Sequence, residues 1–375
     1  MTQKVLLTAT VQSHICQFHK PLVEILHTAG YEVHVAARNN LSEKNGLKLD
    51  FVDQVFNIPF ARSPKSLDNL KAYKLLKEII EKEKYNIVHC NTPMGGIVTR
   101  LAAKKARKQG LQVFYTAHGF HFYKGAPLMN WLAFYPIERW FSRITDKLIT
   151  ITHEDYELAS KHMHCKTYQT HGVGVNEQRY KTATEQEKQD YRAKLGFSPT
   201  QKIILCVGEL LPNKNQSMAI HMMQQLVKHY PDAILLLAGN GPEKQHIEEL
   251  IKSIGLQQNV HMLGYVTNLQ EYQHAADALV ACSYREGLPL NVVEAMLSGN
   301  AVVASYNRGH RELIHDGETG YLVPINNAEA MSNRLLELFS NPSRKQYIEQ
   351  AAQSYAQNYG FESVKQELQT IYGLR

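Results

Sequence analysis

Residues Ala281–Ser305 read ACSYREGLPLNVVEAMLSGNAVVAS, and the fold turns on this stretch. Pro289 suits the first turn of a helix, where its missing N–H costs nothing. Leu290, Val292, Val293, Ala295, Met296 and Leu297 continue as a buried helix, and Gly299 is its expected stop. Ala301–Ala304, with two valines at its centre, is a short apolar run that fits a buried strand. Glu286 stands before the helix and Glu294 inside it. Their spacing sets one carboxylate over the helix start and the other along its side. Free N–H groups at a helix start attract phosphate, and carboxylates accept hydrogen bonds from sugar hydroxyls. The pattern therefore suits a nucleotide sugar. The plainer reading, a solvated loop glutamate and a surface helix glutamate, yields to the motifs around the pair.

The chain has 375 residues, enough for two cores of ordinary size. No apolar run approaches the length needed to span a bilayer. The N-terminus MTQKVLLTATVQSH lacks a small-residue cleavage signature and reads as a first strand. Five scattered cysteines, none at metal-ligand spacing, read as reduced thiols of a cytoplasmic protein. The 18 histidines include no HExxH pair; His118 and His121, or His162 and His164, are merely near one another in sequence. No metal is expected. The net charge of +6 hides an asymmetry: residues 1–176 carry 23 Lys and Arg against 14 Asp and Glu, and the remainder 18 against 21. A basic first half implies an anionic partner, phosphate or membrane surface. No nucleic-acid-binding signature is present, so nucleic acid is not an expected partner.

Taken in order, the chain alternates strand and helix twice. Val5–Ala9, Tyr31–Ala37, Phe51–Ile58, Asn86–Cys90, Gln112–Thr116 and Leu148–Thr152 read as strands, with helices at Leu67–Lys84 and Ile97–Gln109. TVQSH and the residues after it read as a loop leading into a helix that stops at Gly30. A second set opens at Lys202–Val207 and continues through Ala233–Gly239, NVHMLGYV and ALVACS to the opening stretch. Such alternation means parallel sheets with helices on both faces, and ligands bind at the strands' C-terminal ends. The loops Thr10–His14, Asn91–Gly96 and His118–Lys124 then share one rim. Leu128–Lys147 mixes five aromatic side chains with Arg139, Arg143 and Lys147. It reads either as a core helix or as a helix lying in a membrane interface. The basic run Lys104, Lys105, Arg107, Lys108 adds attraction to anionic lipid or is a solvated helix end.

EGLPLNVVEAMLSGNAVVA, followed by ELIHDGETGYLV (Glu312–Val323), resembles a retaining glycosyltransferase of family four. GELLPNK (Gly208–Lys214), AGNGP (Ala238–Pro242) and LGYV (Leu263–Val266) precede it in the family's order, and YTAHGFHF resembles the bacterial capsular and exopolysaccharide branch. The resemblance covers nearly the whole chain. It implies an α/β chain of GT-B architecture, with two facing Rossmann-like doubly wound domains. The acceptor-binding domain would be residues 1–176 plus about 360–375, the C-terminal helix crossing back to it; the nucleotide-sugar-binding domain would be 177–359.

Matched motif to motif, the resemblance assigns roles. Glu294 holds the ribose, and Glu286 faces the donor sugar. Backbone N–H groups near Leu290 and Asn291 cradle sugar and phosphate. Lys214 neutralises the diphosphate leaving group, Gly208 and Gly239 allow close backbone approach, and Tyr265 and Val266 line the base pocket. His118 hydrogen-bonds the donor sugar or stabilises its oxocarbenium-like transition state. His118, Glu286 and Lys214 are thus the catalytic candidates, and Ser13, His14 and His121 the acceptor contacts. In such enzymes the acceptor hydroxyl arrives on the face the diphosphate leaves, and a diphosphate oxygen accepts its proton. Two positions depart from the family pattern. Glu209 stands where arginine is common, with Arg285 as a candidate compensating cation, and TVQSH replaces a glycine pair after the first strand.

The expected activity is transfer of a hexose or N-acetylhexosamine from a nucleotide diphosphate sugar, UDP foremost, without metal or other cofactor. The acceptor would be a saccharide or a polyprenyl-diphosphate-linked saccharide in capsule or exopolysaccharide assembly, at the cytoplasmic face of the plasma membrane with its anionic lipid. A GT-B sugar-nucleotide epimerase and a non-catalytic sugar-nucleotide-binding protein are the alternatives. An NAD-dependent dehydrogenase is disfavoured because no GxGxxG follows Val5–Ala9.

Overall fold

A computed structural model of the chain describes residues 2–43 and 46–374. Met1, Lys44, Asn45 and Arg375, which include both ends of the expected first domain, lie outside them. The chain forms two compact units, Val175–Gly360 being one and the segments before and after it the other.

In the first unit the strands are β1 (Gln3–Val11), β2 (Tyr31–Arg38), β3 (Gln54–Asn57), β4 (Ile87–Asn91), β5 (Gln112–Ala117), β6 (Lys147–Thr150) and β7 (Lys166–Gln169). They form one parallel sheet in the order β3-β2-β1-β4-β5-β6-β7. Its helices are α1 (Gln12–Phe18), α2 (Lys20–Thr28), α3 (Asp68–Glu83), α4 (Pro93–Arg107), α5 (Leu128–Phe141) and α6 (His153–His162). In the second unit β8 (Ile203–Val207), β9 (Ile234–Ala238), β10 (Val260–Gly264), β11 (Ala278–Ala281), β12 (Ala301–Ser305) and β13 (Tyr321–Val323) form a parallel sheet in the order β10-β9-β8-β11-β12-β13. Around it stand α7 (Glu185–Lys194), α8 (Gln216–Leu226), α9 (Lys244–Ser253), α10 (Leu269–Ala275), α11 (Leu290–Leu297), α12 (Arg308–Leu313), α13 (Ala328–Ser340) and α14 (Pro342–Ala356). The last helix, α15 (Phe361–Tyr372), belongs to the first unit, where Val364, Leu368, Ile371 and Tyr372 pack with Val5, Leu26 and Phe114.

In the second sheet the central strands β8, β9 and β11 are apolar throughout because both faces are covered. In β8, Ile204 and Cys206 enter one core while Ile203 and Leu205 enter the other. Each sheet reverses its strand order next to its first strand, at β1/β4 and at β8/β11. Such reversals open crevices at the C-terminal edge of a sheet. A buried charge cluster ties the start of the second unit to its sheet. Arg192 and Lys188 reach the Asp277 carboxylate at 2.7 and 2.9 Å, and Asp277 also accepts the Ile203 N–H at 2.9 Å. Burial alone would raise the Asp277 carboxyl, but the two cations hold it below its usual range.

Four expectations are corrected. No loop follows β1: α1 starts at Gln12, so Ser13 and His14 lie on its first turn. β7 is an extra edge strand, KTYQ, too short and polar to stand out in the sequence. Pro289 is the residue before α11, not inside its first turn. The segment at 128–147 is not a core helix. Among the described side chains of α5, Phe141 alone is buried, while Leu128, Met129, Leu132, Phe134, Ile137 and Trp140 are exposed. The helix is held on its inner side by half-buried Trp131 and Tyr135, packed against Phe122, and by a buried ion pair: Arg100, 1% exposed, donates to Glu138 at 3.0 Å and lies over the Tyr115 and Phe141 rings.

Candidate functional site

In the second unit, the loops after β8, β9, β11 and β12 are bonded into one edge. Gly208 N–H donates to the Ala238 carbonyl at 2.9 Å, and Gly239 N–H to the Gly264 carbonyl at 2.7 Å. Gly239 has φ +147, and a Cβ there would fall 2.0 Å from the Gly208 carbonyl oxygen, so only glycine fits. Asn213 binds the loop after β11, donating through Nδ2 to the Arg285 carbonyl at 2.9 Å and accepting the Tyr284 N–H at 2.9 Å. A Cβ on Gly309, at the start of α12, would lie 2.6 Å from the Glu286 Cβ, so this backbone closes against Glu286 from the β12 side.

These loops bring Lys214 and Glu286 together. The Lys214 ammonium donates to Glu286 Oε1 at 2.6 Å, and its aliphatic stem lies across Gly208. The sequence reading gave the two residues separate tasks, and the structure makes them an ion pair. α11 begins at Leu290, and Pro289 before it supplies no side-chain cap. Its first N–H groups, on Leu290 and Asn291, precede the intrahelical ladder, an end whose dipole and free donors suit an anion. Asn291 fixes that end by donating to the Val207 carbonyl at 2.9 Å. Glu209 is exposed, as is Arg285; Tyr265 is exposed and Val266 half-buried.

Glu294 stands on the side of α11. Burial raises its carboxyl to about 7, against the opposing effects of a hydrogen bond from Tyr180 and the charge of Arg179. Tyr180 was not foreseen, because nothing in its local sequence signals a partner on a distant helix. His310 was missed likewise. It is 1% exposed, donates through Nδ1 to the Ser305 carbonyl at 2.6 Å, and feels the charges of both Glu286 and Lys214.

In the first unit, the predicted rim residues gather at the β1/β4 reversal. His118, after β5, has its Nε2 3.2 Å from Asn91 Oδ1 and 3.2 Å from His14 Nε2. Burial lowers His118 to about 4 and holds His14 and His19 well below the usual histidine range. Thr92 adopts φ +64 and ψ 150 beside Asn91, a strained conformation of the kind found at functional edges. Ser13 has a structural commitment that the sequence did not reveal. It is buried, its N–H donates to Asn40 Oδ1 at 3.1 Å, and its hydroxyl accepts from Asn40 Nδ2 at 2.9 Å. His121 stacks on Phe134 with ring centroids 4.7 Å apart.

Two doubly wound parallel units, one carrying the Lys214–Glu286 ion pair at the C-terminal edge of its sheet, are the architecture of the GT-B fold. The family model described as Glycosyl transferases group 1 matches residues 187–355, and that described as Glycosyl transferase 4-like matches residues 4–152. A putative glycosyltransferase, EpsD of Bacillus subtilis, is 40% identical over 374 residues, covering 99% of this chain and 97% of that protein. The UDP-Gal:alpha-D-GlcNAc-diphosphoundecaprenol alpha-1,3-galactosyltransferase of Escherichia coli is 25% identical, covering 80% of this chain and 79% of its own. The crystal structure of Anabaena HepE in complex with UDP matches with a TM-score of 0.80 at 20% identity, covering 99% of this chain and 100% of that one. The chain belongs to glycosyltransferase family four.

The Glu294 environment has a consequence for pH. Its folded value of about 7 lies above the ordinary 4.5. The stability contributed by its buried acid form is therefore complete at low pH and lost as pH rises through 7. Glu294→Gln, neutral at every pH, should gain on the wild type between pH 5 and pH 8, by up to about 3 kcal/mol. Thermal melts at both pH values check this; an unchanged difference would remove the raised carboxyl.

Proposed function

We propose that this protein is a retaining glycosyltransferase that moves a hexose or N-acetylhexosamine from a UDP-sugar to a saccharide or a polyprenyl-diphosphate-linked saccharide. Capsule or exopolysaccharide assembly is the setting. The observation that carries the reading is the Lys214–Glu286 pair set beside the uncapped start of α11. In this reading the donor diphosphate takes the α11 N–H groups, and Lys214 turns from Glu286 to the phosphate. Glu286, released, accepts from the donor sugar, and Glu294 with Tyr180 holds the ribose. Tyr265 and Val266 border the base. The 25% identical relative, whose name specifies UDP-Gal and a diphosphoundecaprenol-linked acceptor, supports both the UDP donor and the lipid-linked acceptor.

Transfer then breaks the bond from the anomeric carbon to the diphosphate oxygen. The acceptor hydroxyl attacks from the departing face, and its proton passes to the leaving diphosphate. Lys214 offsets the charge that grows there, so the donor needs no metal ion. His118 serves the sugar-transfer step from the first unit, and His14 and His121 serve the acceptor. Ser13, committed to Asn40, shapes that side by fixing α1.

The exposed face of α5 supports contact with an anionic membrane. Leu128, Met129, Leu132, Ile137 and Trp140 form one apolar stripe on it. Lys124, Arg139 and Arg143 are exposed on or beside the helix, and Lys104 lies over the Trp140 ring. Among the described residues no helix is long and apolar enough to cross a membrane, so α5 would lie in the interface.

Two experiments test the reading. With a UDP-sugar donor and a diphosphate-lipid acceptor, Lys214→Ala should lower kcat by about a hundred- to a thousandfold. His118→Ala should lower kcat while leaving the donor KM near that of wild type. Full activity in both variants, or transfer with inversion of the anomeric configuration, would overturn it. In flotation assays the protein should bind vesicles containing anionic lipid, and Leu132→Asp with Trp140→Ala should abolish this; equal binding by the double variant would exclude α5.

A further inference from the structure

The fold assembles a histidine cluster that no sequence spacing announced. His14 lies on α1, His19 joins α1 to α2, and His118 follows β5, so all three stand at the C-terminal edge of the first sheet. One potential ligand nitrogen from each lies within 4.8 Å of the other two. The Nε2 atoms of His14 and His118 are 3.2 Å apart, their rings nearly perpendicular. His19 is 5% exposed, and its Nε2 has no hydrogen-bond partner. Its ring centroid lies 5.4 Å from that of His14 and 6.0 Å from that of His118. A buried ring nitrogen without a partner is costly, and it needs a ligand that the protein itself does not supply.

The neighbouring His89 is different. Its Nδ1 pairs with the Tyr372 hydroxyl at 2.6 Å and its Nε2 with the Thr116 hydroxyl at 2.7 Å, so both its nitrogens are committed. It backs the cluster and offers no ligand atom.

We propose that His14, His19 and His118 form a binding site for a divalent transition-metal ion such as Zn2+, and that its occupancy withdraws His118 from glycosyl transfer. Three imidazoles and an open fourth position are a recognised zinc donor set. With Zn–N bonds of about 2.1 Å, tetrahedral ligands stand roughly 3.4 Å apart. His14 and His118 already meet that separation; on binding, His118 Nε2 exchanges its 3.2 Å contact with Asn91 Oδ1 for the ion, and the His19 nitrogen, within 4.8 Å of both, moves in to complete the set. His14 and His118 are only partly buried, which leaves the fourth position open to water and gives the ion an entry path. The ion is an inhibitor here, not a cofactor, because it takes the nitrogen that His118 would offer to the sugar. That inhibitory half rests on the role given to His118 above; the binding half does not.

The test uses full-length protein stripped of metal by EDTA and then dialysed. Titration with Co2+ should give one equivalent of intense, tetrahedral-type visible absorption, displaced by Zn2+. X-ray absorption of the Zn2+-loaded wild type should show three imidazole ligands at about 2.0–2.1 Å. His19→Gln should weaken Zn2+ binding at least about tenfold, and it should retain its metal-free Tm and its transfer activity in EDTA. Zn2+ should inhibit the wild type and spare His19→Gln. Only a faint octahedral Co2+ spectrum, or a zinc shell without three imidazoles, would overturn the site by measurements on wild type alone. Tight binding without inhibition would overturn the regulatory half while leaving the glycosyltransferase reading intact.

Discussion

Four loops share the edge of the second sheet because glycine stands where their backbones meet. Gly239 touches the carbonyl of Gly208, and Gly309 touches the Cβ of Glu286. Any side chain at Gly239 would separate the loops after β8 and β9, and with them the ground on which the Lys214 stem rests. Any side chain at Gly309 would displace Glu286. The Lys214–Glu286 ion pair is therefore a product of backbone contact, held by segments 72 residues apart in sequence.

That arrangement gives the site a definite electrostatic state. A lone lysine beside a helix start would present two positive groups to each other. Pairing with Glu286 relieves this, and in the proposed reading an incoming diphosphate would exchange one anionic partner for another. In that reading the exchange would free the Glu286 carboxylate for the donor sugar. Glu294 works under the opposite constraint. Its burial resists ionisation, and the Tyr180 hydrogen bond opposes that effect without cancelling it. One helix thus carries a start without a side-chain cap and a carboxyl raised to about 7.

Much of this was legible because parallel sheets write themselves into sequence. Strands buried on both faces, such as IILCV and ILLLA, appear as unbroken apolar runs, and the helix of EGLPLNVVEAMLSGN carries its own stop at Gly299. The sequence did not show where the long-range partners lie. Tyr180, His310 and Asn40 act through contacts made only after folding. His19 looked like one of eighteen histidines until α1 and α2 set it against His14 and His118. The α5 segment misled for a physical reason: an aromatic-rich helix has the same composition whether its apolar face meets a core or stands exposed. Only its packing separates the two cases, through the buried Arg100–Glu138 pair on one side and the bare stripe on the other.

The central claim is that the second unit binds a nucleoside diphosphate through the α11 start, Lys214 and Glu294. Calorimetric titration of UDP, GDP and ADP into the full-length protein in EDTA tests it most directly. The account predicts one-to-one binding of UDP, at least about tenfold weaker in Lys214→Ala and in Glu294→Ala, and unchanged in His118→Ala. Absence of binding by all three nucleotides, or UDP binding indifferent to Lys214 and Glu294, would contradict it.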